Sequence, residues 1–222
     1  MTARCFSSSR RGARGFTLIE LMVAIAAMAL LALMSWRGID GMTRAQAQTQ
    51  ARSDAVLTLQ TTLSQWATDL DATVAIAQLQ PVDWNGRALR ITRRGADSGQ
   101  PALHVVAWTM RTDAASGTQW RRWQSPPIVT RAEWQQAWER AGAWAEDGGN
   151  AAGGTELALM PLAGWQLAYF RNGAWTDAVD GEAMANAIPD GIRLVLQLPP
   201  GLALAGTLTR DWVKPTAAKP KS

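Results

Sequence analysis

The chain has 222 residues, 47% of them hydrophobic and 18% charged, which allows one medium domain and a separate apolar segment. Its formal net charge of +4 is local: Arg4, Arg10, Arg11 and Arg14 lie within the first fifteen residues, which contain no Asp or Glu. Removing those four charges leaves the remainder neutral, so composition does not support a nucleic-acid-binding surface. The single cysteine, Cys5, lies in the same basic stretch, so the rest of the chain has no thiol for a disulfide, a nucleophile or a metal ligand.

Residues 16–34 are apolar except for Thr17 and Glu20. As a helix rising about 1.5 Å per residue they span roughly 28 Å, a bilayer core. Arginines precede the run and fewer follow it, which places the N-terminus in the cytoplasm and the bulk of the chain outside. Cleavage after the run, as in an ordinary secretory signal, fits poorly: Leu33-Met34-Ser35-Trp36 is not an Ala-x-Ala pattern, and the polar continuation reads as helix. Glu20 is the anomaly. A carboxylate toward the centre of an apolar span costs on the order of 2–3 kcal/mol, so a functional reading requires a cationic partner within the membrane.

Arg14-Gly15-Phe16-Thr17-Leu18-Ile19-Glu20 resembles the class III leader of type IV pilins and type II secretion pseudopilins. The resemblance implies cleavage by a prepilin peptidase between Gly15 and Phe16 and N-methylation of Phe16. It also implies that Glu20, then the fifth mature residue, pairs with the N-terminal amine of a neighbouring subunit.

Beyond the membrane run, Val56, Leu59, Leu63, Trp66 and Leu70 recur at spacings of three and four, one apolar stripe on a continuing helix that Pro81 must end. Gly38 and Gly41 mark the junction between the two halves, either as tolerated residues or as a softened point. Strand patterns follow over 88–94, 102–110 and 120–124. Residues 131–144 read as a helix, with Thr130 and Glu133 forming a capping box. The Gly- and Asn-rich stretch 147–154 reads as a loop. Strands over 156–160, 164–170 and 174–179 include an Asn172-Gly173 hairpin turn. Strands over 191–198 and 204–213 complete a single expected sheet, separated by Pro199-Pro200-Gly201.

The expected fold is α+β: a long N-terminal amphiphilic helix, membrane half plus polar half, packed on a mainly antiparallel β-sheet head of the pilin/pseudopilin type. The expected divisions are a leader at 1–15, a transmembrane part at 16–35, a periplasmic continuation of the helix at 36–80, a β-rich head at 81–213 and a disordered tail at 214–222.

Two further segments are similar to the J-type minor pseudopilins of type II secretion. Ser35-Trp36-Arg37-Gly38-Ile39-Asp40-Gly41 is similar to a Tyr-Arg-Gly-Leu-Asp segment, with Trp36 in place of Tyr. Ile188-Pro189-Asp190-Gly191-Ile192-Arg193-Leu194 is similar to a late Leu-Pro-x-x-Val-Arg-Leu strand, with Ile188 in place of Leu. The hairpin around Asn172-Gly173 fits the same pattern. This resemblance implies a non-enzymatic inner-membrane subunit with a periplasmic head, and I-, K- and H-type minor pseudopilins as partners at the pseudopilus tip. No cofactor, no metal and no nucleic-acid partner are expected, although some relatives of this family bind calcium. The alternative is a minor pilin of a type IV pilus, serving adhesion, twitching or DNA uptake.

Signs of other chemistry are weak. His104, the only histidine, sits in an apolar strand and reads as structural. Asp177, Asp180 and Glu182, or Glu146 and Asp147, would be the carboxylates for calcium, but their spacing matches no calcium loop. Arg121-Arg122 between Trp120 and Trp123 is the one candidate for DNA contact, and such neighbours on a strand more often pack and snorkel.

Overall fold

The computed structural model describes residues 15–147, 153–178 and 187–215. The chain divides into two units, Met1–Gln50 and Ala51–Ser222.

The first unit contains the beginning of helix α1, Leu18–Asp71. Leu, Met and Ala dominate its apolar run, and no proline interrupts it. Every described side chain from Gly15 to Gln50 is exposed, including Phe16 at 88% and Trp36 at 74%. The helix has the length and hydropathy needed to cross a membrane. It runs unbroken through Gly38 and Gly41, where an added Cβ would meet nothing within 4 Å.

The second unit holds the last turns of α1, two antiparallel sheets and a second helix. Sheet A has the order β1-β2-β3-β4-β5, from β1 (Val82–Trp84), β2 (Ala88–Asp97), β3 (Gln100–Asp113), β4 (Gly117–Gln124) and β5 (Thr155–Pro161). Helix α2 (Arg131–Asp147) lies between β4 and β5 in sequence. Sheet B has the order β7-β6-β8-β9, from β6 (Gly164–Arg171), β7 (Ala174–Asp177), β8 (Gly191–Leu198) and β9 (Gly206–Val213). The expected single sheet is therefore two, and β1 is an additional short strand.

Sheet A is buried on both faces, which explains why β3 reads as an apolar run rather than an alternation. Leu89, Ile91, Val106, Trp108 and Trp120 pack with Trp66 and Leu70 of α1 and with Trp165, Leu167, Ile192, Leu194 and Leu196 of sheet B. On the other face Ala88, Val105, Ala107 and Trp123 receive Trp134, Trp138 and Trp144 of α2. Ala88, Val105 and Ala107 leave room for the large residues on the helix, and Trp123 stacks with Trp144. Tryptophan pairs link the two sheets, with Trp84 and Trp165 in an edge contact at 4.6 Å and Trp120 and Trp165 ring centroids 5.8 Å apart.

The expected capping box starts α2: Glu133 N–H donates to Thr130 Oγ1 at 3.2 Å, and Thr130 N–H to Glu133 Oε2 at 2.9 Å. Asn172 (φ 51°) and Gly173 (φ 83°) form the expected β6–β7 turn, in which both central residues need positive φ.

Helix α1 ends at Asp71 rather than continuing to residue 80. Beyond the three residues that β1 pairs, the edge of β2 needs other partners. Residues 72–81 supply them: Val74 N–H donates to Thr92 O at 3.0 Å, Arg94 N–H to Ala72 O at 2.8 Å and Thr92 N–H to Pro81 O at 2.8 Å. Thr73, Val74 and Ile76 are β-branched, so the helical alternative is weak there. The loop residues 148–152 and the tail from 216 lie outside the described residues.

Candidate functional site

Gly15, Phe16, Thr17 and Glu20 line one open recess at the start of α1. Thr17 caps the helix, and Glu20, three residues on, returns the bond. Thr17 N–H and Oγ1–H donate to Glu20 Oε2 at 3.0 and 2.9 Å, while Glu20 N–H reaches Thr17 Oγ1 at 3.4 Å. The sequence analysis gives Glu20 a partner on a neighbouring subunit, and the structure adds a local one. Thr-x-x-Glu is a capping-box pattern, and it satisfies main-chain donors that a helix start leaves open.

The box occupies only one carboxylate oxygen. Oε1 accepts no hydrogen bond among the described residues. A charged acceptor with one open oxygen, at the exposed end of an apolar helix, can take a cationic or N–H donor from another molecule. Gly15 stands beside it with no steric demand of its own, since an added Cβ would meet nothing within 4 Å.

Within the second unit the chemistry-bearing side chains are used for structure. His104 is buried, and its Nδ1 lies 3.0 Å from Ser125 O. Arg121 and Arg122 are not an exposed basic stripe, nor do they snorkel: both are buried and ion-paired. Arg121 meets Glu156 Oε1 at 2.5 Å and Asp113 Oδ2 at 3.1 Å. Burial pushes the Glu156 carboxyl up, but hydrogen bonds from Trp144 and Arg121 and the charges of Arg111 and Arg121 outweigh it and hold the group below the ordinary range.

Arg122 meets Asp69, which the sequence reading passed over. Asp69 is fully buried and accepts from Trp108 Nε1 at 2.9 Å, Arg122 Nε at 2.7 Å, Gln65 Nε2 at 3.1 Å and Arg93. A carboxylate between Trp66 and Leu70 on the apolar stripe is the signal that could have found it, since charge on a packing face needs a partner.

Among the described residues no group of three or more His, Cys, Asp or Glu side chains could hold a metal ion. Of the carboxylates considered for calcium, Asp180 and Glu182 lie outside the described residues.

Residues 10–36 match the family model described as the prokaryotic N-terminal methylation motif. No curated protein matches the chain. A motif of this kind implies processing by a prepilin peptidase and assembly with other pilin-like subunits. With a membrane-capable helix at the same end of the chain, the match supports a type IV pilin-like protein held by a single-pass anchor.

Proposed function

We propose that this chain is a minor pseudopilin of the type II secretion system, most similar to the J type. Prepilin peptidase would cut between Gly15 and Phe16 and methylate Phe16, and Glu20 would then guide the subunit into the pseudopilus. The observation that carries the reading is Glu20 Oε1, without a partner among the described residues and in register with the methylation motif. A neighbour's N-terminal amine is the cation that an otherwise costly carboxylate would pair with in the membrane.

The J-type assignment rests on the Trp36-Arg37-Gly38 and Ile188-Pro189 segments, which are similar to segments of that type. The head would face the periplasm and join I- and K-type subunits, then an H-type subunit, in the complex that initiates the pseudopilus and supports export across the outer membrane.

The test is co-purification of the full-length chain in detergent with the I- and K-type pseudopilins and, in parallel, with the minor pilins of the same organism. A stable complex with the secretion pair alone is expected. A complex with the pilus set alone would overturn the secretion assignment in favour of a pilus minor pilin and leave the prepilin reading standing.

A further inference from the structure

Sheet B ends in β9, and among the described residues no strand pairs with its outer side. Lys214 N–H donates to Asp190 O at 2.9 Å, and the register continues from that pair through Ile192 with Trp212 to Leu194 with Arg210. Antiparallel pairs alternate between bonded and non-bonded, so Leu208, Arg210 and Trp212 turn their main-chain groups toward β8. Thr207, Thr209, Asp211 and Val213 turn theirs outward, and among the described residues no backbone bond reaches them.

The other edges of the two sheets are blunted in familiar ways. β1 has three residues and β7 four; β5 carries a register shift opposite Trp120 and Arg121 and ends in Pro161. β9 has eight residues in regular register, without proline. A row of alternating donors and acceptors at strand spacing fits one kind of occupant, an extended polypeptide.

Side chains narrow the occupant further. Arg193 holds Asp211, on the outer face, through two bonds of 2.7 Å. Arg210, exposed on the opposite face between Leu208 and Trp212, pairs with no carboxylate among the described residues. A second β9 would not supply one. The two fullest antiparallel registers set Arg210 against Arg210 or against Leu208.

We propose that β9 is a strand-addition edge for an extended segment of a different polypeptide, with a carboxylate opposite Arg210 and apolar residues beside Leu208 and Trp212. The proposal is independent of which filament system the chain serves.

The test uses the full-length chain in detergent micelles and two fluorescent peptides, Thr-Val-Thr-Glu-Thr-Val-Thr and the same sequence with Lys for Glu. The wild type should bind the Glu peptide about tenfold more tightly than the Lys peptide. Arg210→Glu should reverse that order. Thr209→Pro removes an outward N–H without breaking a bond to β8, and should abolish binding of both peptides while circular dichroism is unchanged. Binding of neither peptide by the wild type would overturn the proposal. So would equal binding of both, unaltered by Arg210→Glu.

Discussion

Arg122 lies 53 residues beyond Asp69 and holds both of its carboxylate oxygens, Oδ2 through Nε at 2.7 Å and Oδ1 through a terminal nitrogen at 2.9 Å. This pair joins the last turns of α1 to the middle of sheet A at a point closed to water. A buried ion pair costs desolvation on both sides, so its geometry has to be complete; Arg93, Trp108 and Gln65 complete it.

Removing the carboxylate would leave two guanidinium groups without their partner. Asp69→Ala should therefore destabilise the head by about 3–5 kcal/mol, and Asp69→Asn by less. Urea unfolding followed by near-ultraviolet circular dichroism of the tryptophans measures the difference. An Asp69→Ala variant as stable as the wild type would show that the pair contributes nothing to the fold.

Glu156 is expected to govern part of the acid response. Its folded pKa is lowered, so the stability it contributes is present above the ordinary carboxylate range, about pH 4–5, and is lost as pH falls through the lowered value. Glu156→Gln should be less stable than the wild type at neutral pH, and the two should converge in acid. Melting temperatures between pH 7 and pH 3 test this; parallel curves would contradict it.

Gly154 lies under the Trp123 indole, where an added Cβ would come within 2.3 Å of the ring. Gly154→Ala forces either the ring or the start of β5 to move, at about 1–3 kcal/mol. Thermal unfolding gives the cost, and a shift in the near-ultraviolet spectrum would locate it at a tryptophan. An unchanged melting temperature would mean that the loop yields freely.

Gly15 and Glu20 can be separated by mass spectrometry and assembly assays. On the proposed reading, Gly15→Val should accumulate the unprocessed chain. Glu20→Gln should be processed normally, because Gln also serves in a capping box, yet fail to join the assembly because the charge is gone. If Glu20→Gln assembled as well as the wild type, capping would be the residue's whole role.

The sequence by itself determined what depends on local pattern. The apolar run of 16–34, the Thr130–Glu133 capping box and the Asn172-Gly173 turn each carry their signal within a few residues, and each stands where it was expected. The Gly15–Glu20 motif was legible for the same reason, and the Thr17–Glu20 box lies within it.

What only the tertiary structure decided depends on partners far apart in the chain. The division into two sheets follows from which strands find each other, and hydropathy does not encode that choice. The end of α1 at Asp71 is set by the unpaired edge of β2, twenty residues on, competing for the backbone of residues 72–81. Arg121 and Arg122 were expected to pack with their heads reaching water, and they pack without doing so, because a buried charge is acceptable once the fold supplies its counter-ion, here Glu156 and Asp69.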